Sequence, residues 1–199
     1  ISHFISRSGT LFVHSLLDNH PEIISIPGTI DIVDLLKAKN LSAEENFQIF
    51  EKNNPKFFDT STFNLTDKNN SSLWFLGENK NDKIVTDKNV FKEKFLEFLK
   101  DKDISPRNTI IALYYSYAFC HKKDMSLAKI LLLHPHEKKT TLIFNKFFND
   151  SIYLIPLRNP LRAYESIINK VRAVTKLRGK EYYPSGQLVE SALDIKDFY

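Results

Sequence analysis

FISRSGTLFVHSLLDNHPEI, residues 4–23, places a run of small and charged polar residues between an apolar segment and an amphipathic one. The apolar segment that ends here predicts a buried strand, and residues 10–19 carry apolar side chains at helical spacing. The residues HPEI at 20–23 end that helix. The stretch therefore predicts a strand, a tight turn and a helix, with the polar cluster 6–10 forming the turn.

The last third of the chain repeats the same alternation of apolar strand and amphipathic helix. LAKILLLH (127–134) and SIYLIPL (151–157) predict fully buried strands. KTTLIFNKFF (139–148) and PLRAYESIINKVRAV (160–174) predict helices, the second with proline in its first turn. Continuous apolar strands that alternate with amphipathic helices indicate an α/β fold, in which a parallel sheet is covered on both faces.

Two shorter elements are predicted after the first helix. IISIP (23–27) predicts a second strand, and TIDIVDLLKAKN (29–40) predicts a helix. One face of that helix is expected to carry the apolar residues Ile30, Val33, Leu36 and Leu41.

Three longer helices are predicted in the middle of the chain. Ser42 and Glu45 form a capping box at the start of the helix 42–52. The helix 106–120 opens with Pro106. The helix 88–101 has a core-facing stripe made of Val90, Phe91, Phe95, Phe98 and Leu99.

The stretch 53–72 is rich in asparagine, aspartate, serine, threonine and lysine, which predicts a loop or a lid. SLWFLG (72–77) predicts a short strand after it. Neither flank is long enough to fold independently, and 199 residues suit one substantial core. We therefore expect a single domain over residues 1–199, trimmed at one or both ends, since the sequence begins without methionine inside an apolar run.

Composition narrows the classes of partner. The net charge of +4 suits an anionic ligand, but the sequence has no concentrated basic stripe, so no nucleic-acid partner is expected. No apolar stretch approaches the roughly 18 residues that span a bilayer. The single cysteine, Cys120, lies in an apolar aromatic stretch and is interpreted as a buried small hydrophobe. No group of residues has metal-ligand spacing, so no metal is expected.

The polar cluster at 6–10 has the chemistry of a phosphate site. A helix N-terminus offers unpaired amide groups and the positive end of the helix dipole, and Gly9 allows an anion to approach the backbone. Arg7 adds a permanent charge. The alternative is an ordinary capped turn between strand and helix. The GxxxxGK[ST] pattern is missing, which disfavours a nucleotide kinase.

A second polar cluster, RNPLRAYES (158–166), follows the predicted strand 151–157. Arg158 at the end of that strand and Ser166, two helical turns later, are placed to converge on one anion beside the first cluster. The alternative is that Arg158 or Arg162 pairs with Glu165 as a surface charge.

Together the two clusters resemble the nucleotide motifs of the PAPS-dependent sulfotransferases. SRSGTLFVHSLLDNHPEI resembles the loop that binds the 5'-phosphosulfate of PAPS (3'-phosphoadenosine 5'-phosphosulfate), and LRNPLRAYES resembles the segment that binds its 3'-phosphate. The resemblance implies a three-layer α/β/α fold of the P-loop-NTPase type with a central parallel sheet. It also implies a sulfuryl transfer that releases adenosine 3',5'-bisphosphate and needs no metal.

The resemblance also implies roles for individual residues. Arg7 becomes the cation beside the 5'-phosphosulfate, where many family members carry lysine. Arg158 and Ser166 hold the 3'-phosphate. Leu11 departs from the second hydroxyl residue common in the family loop, and KLRGKEYYPSG (176–186) matches the family's basic C-terminal segment poorly. Ser8, Gly9 and Thr10 form the phosphate cradle, and Leu11 adds its backbone amide.

Sulfuryl transfer to a hydroxyl or amine needs a base near the acceptor. His134 and His136 follow the predicted strand 127–134, and histidine titrates near neutral pH. In the cytosolic branch of the family that the chain resembles, a histidine follows the equivalent strand, and His136 matches the position of that histidine more closely than His134 does. Glu137 and Glu78 stay as carboxylate alternatives. His14 and His20, on and after the first helix, are interpreted as structural.

The sequence leaves the acceptor open between a carbohydrate, a phenol and a lipid headgroup. Tyr182, Tyr183 and the aromatic helix 106–120 are candidates to shape its site. A nucleotide kinase-like phosphotransferase and a non-catalytic module on the same fold are the alternative functions. The oligomeric state is open, and so is the compartment: the lone cysteine favours the cytoplasm, and a missing leader would allow a secretory lumen.

Overall fold

The computed structural model describes residues 9–26, 30–62, 82–134 and 138–154, together with positions 156, 159, 161–163, 165, 166, 168, 169 and 172. The helices are α1 (Thr10–Leu17), α2 (Val33–Lys37), α3 (Ala43–Asn53), α4 (Lys88–Leu99), α5 (Pro106–Cys120) and α6 (Lys138–Phe147). The strands are β1 (Ile23–Ser25) and β2 (Ile130–Leu132), and a 3₁₀ turn covers Thr60–Thr62. The described positions between 161 and 172 are helical.

The two strands form a parallel sheet. Ile23 lies opposite Ile130, and Ser25 lies opposite Leu132. The long connection between them carries α2 to α5, as a crossover between parallel strands requires. The described residues therefore combine helices with a small two-stranded parallel sheet, which agrees with the α/β class predicted from the sequence. Because the strands are parallel, the residues that follow Ser25 and Leu132 emerge at the same edge of the sheet.

Phenylalanine dominates the core where α3, α4 and the segment after α3 meet. The ring of Phe91 on α4 stacks nearly parallel on Phe50 of α3 at 6.0 Å between centroids. Two further rings, Phe57 and Phe58, meet Phe91 edge-on at 5.6 and 5.3 Å. Edge-to-face and offset pairs of this kind add to the burial energy of the rings. The stripe predicted for α4 is confirmed, since Phe91, Phe95 and Leu99 are buried and Val90 and Phe98 are half-buried.

Local capping signals place two helices where they were predicted. The Ser42 hydroxyl accepts from the Glu45 amide at 3.2 Å, and the Ser42 amide donates to the Glu45 carboxylate at 2.8 Å. This reciprocal pair is the predicted capping box. At α5, Pro106 occupies the first turn and Ser105 is the N-cap, whose hydroxyl accepts from the Asn108 amide at 3.3 Å.

The prediction of a helix over 29–40 is too long. The helix α2 covers only Val33–Lys37, and its C-cap residue Ala38 is extended. The buried residues are Ile32, Leu35 and Leu36, whereas Ile30 is half-buried. Leu35 and Leu36 lie three and four positions after Ile32, so the short helix does bury a helical stripe, but this stripe shares only Leu36 with the predicted face.

The two strands predicted in the last third as fully buried are not observed as such. In 127–134 only Ile130–Leu132 form a strand, and Ile130 is 45% exposed. In 151–157, residues 151–154 belong to no strand and Ile152 is 80% exposed. A buried strand needs a neighbouring strand for its backbone and cover on both faces, and an apolar run alone supplies neither.

Several predicted elements lie outside the described residues. These are the N-terminal strand before residue 9, the strand 72–77 and the chain beyond 172. The predicted loop 53–72 is described as far as residue 62, and it buries Phe57 and Phe58 in the core. In the described part of the chain, no helix is long and apolar enough to cross a membrane.

Candidate functional site

The turn before α1 is built on a glycine in the left-handed region. Gly9 has φ of 100° and ψ of 18°, and its carbonyl accepts from the Val13 amide at 3.0 Å to open the helix. It provides no side-chain cap. Residue 9 therefore has no side chain to which the first backbone amides of α1 could donate. Amide groups at a helix start of this kind are the donors that an anion site uses.

Gly9→Ala should lower the free energy of unfolding by about 1 kcal/mol or more, because alanine pays a steric cost at positive φ. A Cβ built on Gly9 meets no atom of the described residues within 4 Å, so the expected cost is one of backbone conformation. Gly9→Asn is the matched variant, since asparagine tolerates the left-handed region better. Urea denaturation measures both variants, and equal stability of Gly9→Ala and wild type would contradict the observed turn.

The structure brings one predicted base against α1. His134 lies two residues after β2, and its Nδ1 atom is 3.0 Å from Nδ1 of His14. The ring centroids are 5.2 Å apart and the rings are tilted by 49°. His14 was interpreted as structural, and the sequence held no signal for this contact because the two residues are 120 positions apart.

Burial and one carboxylate set the electrostatics of this pair. His14 is only 7% exposed, and its burial lowers the pKa of the ring, while the nearby Asp18 carboxylate raises that pKa in part. The Asp18 Oδ1 atom lies 4.0 Å from Nε2 of His14. Asp18 is itself held by the hydroxyl of the buried Ser25, which donates to its carboxylate. Ser25, Asp18, His14 and His134 thus form one connected polar row.

A small cavity of about 20 Å³ lies between the start of α1 and the end of β2. Such a volume holds about one water molecule. The cavity joins Thr10 of the first polar cluster to His134, and Ser166 of the second cluster is not among its walls. Its lining is Thr10, Val13, His14, Leu132, Leu133, His134, Leu154 and Pro156.

The second polar cluster is described in part. The amide of Leu161 donates to Asn159 Oδ1 at 2.9 Å, so Asn159 caps the helical stretch that follows. The guanidinium of Arg162 donates to the Glu165 carboxylate at 3.0 Å. The surface ion pair between Arg162 and Glu165, named above as an alternative, is therefore confirmed. Both side chains are exposed, and such pairs contribute little to stability. Ser166 is half-buried in the same helical stretch.

The other candidate residues are distributed as follows. The backbone of Leu11 lies in α1. Cys120 is half-buried and its pKa is raised, first by burial and then by the Asp87 charge, so the thiol is a poor nucleophile at neutral pH. Within the described residues no three metal-ligating side chains cluster. Outside those residues lie Arg7, Ser8, Glu78, His136, Glu137, Arg158, Tyr182 and Tyr183.

Comparison of the chain with protein families, with curated proteins and with solved structures gives no match.

Proposed function

We propose that this protein is a PAPS-dependent sulfotransferase, which transfers a sulfuryl group to a hydroxyl or amine acceptor. One observation carries the proposal. The Gly9 turn at the start of α1 and His134 at the end of β2 lie at one edge of a parallel sheet, the edge where α/β folds bind nucleotides. The proposal also rests on the two sequence motifs at 6–10 and 158–166.

We further propose that the two observed strands belong to a three-layer α/β/α fold of the P-loop-NTPase type. In support, α1 precedes β1, β2 runs parallel to β1, and helices both precede and follow β2.

In this proposal the residues of the first cluster bind the phosphate that leaves. The amide groups of Ser8, Gly9, Thr10 and Leu11 hold phosphate oxygens, and Arg7 stabilises the charge that develops on the leaving oxygen. PAPS supplies the activated sulfuryl group. Arg158 and Ser166 bind the 3'-phosphate and so fix the position of the nucleotide.

The acceptor must lose a proton as its oxygen or nitrogen attacks. In this proposal the base is His134, which lines the same cavity as Thr10. His136, two positions further on, remains the alternative base. The small cavity between Thr10 and His134 holds about one water, so the acceptor and the adenosine must occupy space outside it.

The test is an assay of the full chain with ³⁵S-labelled PAPS and a mixed pool of sugars, phenols and amines, in the presence of EDTA. We expect labelled acceptor and adenosine 3',5'-bisphosphate in equal amounts. Magnesium-dependent phosphoryl transfer from ATP would instead support a kinase-like function. Binding of the bisphosphate without any sulfated product would support a non-catalytic module.

Arg158→Ala should raise the KM for PAPS by about 10- to 100-fold and leave kcat nearly unchanged. The contact between a guanidinium and the 3'-phosphate is worth roughly 1.5–3 kcal/mol and is equal in the ground and transition states. The matched control is Arg162→Ala, because Arg162 is an exposed arginine of the same cluster that already pairs with Glu165. An equal rise in KM for both variants would refute the assignment of Arg158.

A further inference from the structure

The side chain of Arg107, in the first turn of α5, reaches the end of α6. Its Nη1 atom donates to the carbonyl of Phe147, the last residue of α6, at 3.0 Å. Nη1 and Nη2 also donate to the two carboxylate oxygens of Asp150, at 2.9 and 3.0 Å. The guanidinium carbon lies 4.9 Å from the centroid of the Phe148 ring. One side chain therefore contacts a helix-end carbonyl, an aromatic ring and a carboxylate within four consecutive residues.

This contact has features that an ordinary surface ion pair lacks. Two parallel hydrogen bonds between a guanidinium and a carboxylate fix the relative orientation of the groups. A cation at the end of a helix also interacts favourably with the helix dipole. The ring beneath the guanidinium is fixed as well, because Phe148 is buried and packs on the buried Phe144 at 5.6 Å. The hydrogen bonds from Arg107 lower the pKa of Asp150, so the carboxylate is charged at neutral pH.

The helix α5 is a firm base for this side chain. Ile110, Ala112 and Leu113, which follow Arg107 within two turns, are fully buried. The backbone of Arg107 is therefore held by the core, and a residue that binds the guanidinium is held with it.

The segment 151–156, which follows Asp150, buries little of its own surface. The Ser151 amide donates to the Phe148 carbonyl at 3.2 Å, residues 151–154 belong to no strand of the described structure, and Ile152 is 80% exposed. Further along, Leu154 and Pro156 line the cavity beside α1. A segment with few buried contacts opens easily, so its course depends on the points at which it is held.

We propose that Arg107 is a positioning residue that clamps residues 147–150 to α5 and thereby fixes the course of residues 151–156 toward the cavity beside α1. The segment leads on to the cluster 158–166. In the proposed sulfotransferase, Arg107 therefore fixes the approach to the 3'-phosphate site without touching the nucleotide. This consequence for the nucleotide rests on the proposed function, whereas the clamp itself does not.

The test of the clamp is NMR of the full chain without nucleotide, in the wild type and in Arg107→Leu. Leucine keeps an apolar group over the Phe148 ring and removes the three hydrogen bonds. We expect hydrogen exchange of the Ser151 amide to accelerate by about tenfold relative to the amides of α4, the combined effect of losing the paired carboxylate and the helix-end contact. We also expect the Leu154 methyl resonances to shift, since they report on the far end of the segment.

Lys88→Leu is the matched control for this experiment. Lys88 on α4 pairs with Glu51 on α3 at 2.8 Å, so it too is a partly exposed cation that bridges two helices. It lies near the opposite end of α5, next to Asp87, whose carbonyl is 3.9 Å from the Cys120 sulfur. We expect Lys88→Leu to leave both the Ser151 exchange rate and the Leu154 resonances unchanged.

Asp150→Asn is a milder second variant, because it removes the charge of the carboxylate and leaves the bond from Arg107 to the Phe147 carbonyl. We expect a smaller acceleration at Ser151 than in Arg107→Leu. Unchanged exchange at Ser151 in both variants, or an equal change in Lys88→Leu, would overturn the clamp. Faster exchange at Ser151 with unmoved Leu154 resonances would confine Arg107 to the end of α6 and overturn its positioning role.

The consequence for the nucleotide has a separate readout. Changes in residues that act on a site through intervening segments alter its binding by about 2- to 30-fold, so Arg107→Leu should raise the KM for PAPS by such a factor and leave kcat nearly unchanged. An equal KM in Arg107→Leu and wild type would refute this consequence. A protein that does not use PAPS at all would refute the proposed function and leave the exchange and methyl results standing.

Discussion

Arg7→Ala is expected to lower kcat for sulfuryl transfer by about 10² or more while changing the affinity for adenosine 3',5'-bisphosphate much less. Removal of one group that stabilises developing charge typically has an effect of this size. In the proposed mechanism Arg7 acts on the leaving phosphate oxygen, whose negative charge grows only as the bond to sulfur breaks. A loss confined to the transition state lowers kcat and kcat/KM together. Steady-state kinetics with PAPS, paired with bisphosphate titration, measure both quantities.

Arg7→Lys is the matched control, because lysine keeps the positive charge and is common at this position in the sulfotransferases that the loop resembles. We expect it to retain most of the turnover. Intact turnover in Arg7→Ala would contradict the catalytic role of the loop. The role would also be contradicted if Arg7→Ala and Arg158→Ala both weakened binding equally and changed nothing else. The turn before α1 would then bind an anion without taking part in catalysis.

Phe91→Ala is expected to lower the free energy of unfolding by about 3–5 kcal/mol, the usual cost of removing a buried aromatic ring. Phe91 is fully buried on α4, where its ring contacts those of Phe47, Phe50, Phe57 and Phe58. Truncation leaves a cavity among rings that belong to α3, α4 and the segment after α3. Urea denaturation followed by circular dichroism measures the loss.

Phe119→Ala is the control for this prediction, since the Phe119 ring on α5 is 42% exposed. Its ring also receives the Lys94 ammonium at 4.7 Å, a contact worth about 0.5–1 kcal/mol at an exposed site. We expect a loss of about 1 kcal/mol for this variant. A similar loss in the two variants would mean that Phe91 does not lie at the centre of the core.

Helix ends were predictable where their signals lie within one turn of the chain. Ser42 and Glu45 satisfy each other's backbone groups, and the helix α3 begins at the next residue, Ala43. Pro106 likewise marks the start of α5, which ends at Cys120 as predicted. In both cases the physical cause, the unpaired amides of a first turn, is local.

The apolar run at 151–157 was not predictable in the same way. Its pattern is that of a buried strand, yet Ile152 and Leu154 are exposed and residues 151–154 are outside any strand. An apolar run indicates that its side chains favour burial away from water, but a strand also needs a second strand elsewhere in the chain to pair with its backbone. For the same reason β2 is limited to the residues that pair with Ile23–Ser25.

The candidate site shows the same limit. The glycine at position 9 signalled a special backbone conformation, and its positive φ agrees with that signal. The contact between His14 and His134 depends on the parallel pairing of β1 and β2, which brings the end of β2 beside α1. No local pattern encodes that pairing, so His14 was interpreted as structural.

Calorimetry with adenosine 3',5'-bisphosphate and with AMP tests the central claim most directly, because the two ligands differ only in the 3'-phosphate that the segment 158–166 is proposed to hold. A charge-assisted contact of roughly 1.5–3 kcal/mol predicts that the bisphosphate binds about 10- to 100-fold more tightly than AMP. The same titration of Arg158→Ala should erase most of that difference. Equal affinity of the wild-type protein for the two ligands would contradict the 3'-phosphate site and, with it, the proposal that this protein uses PAPS.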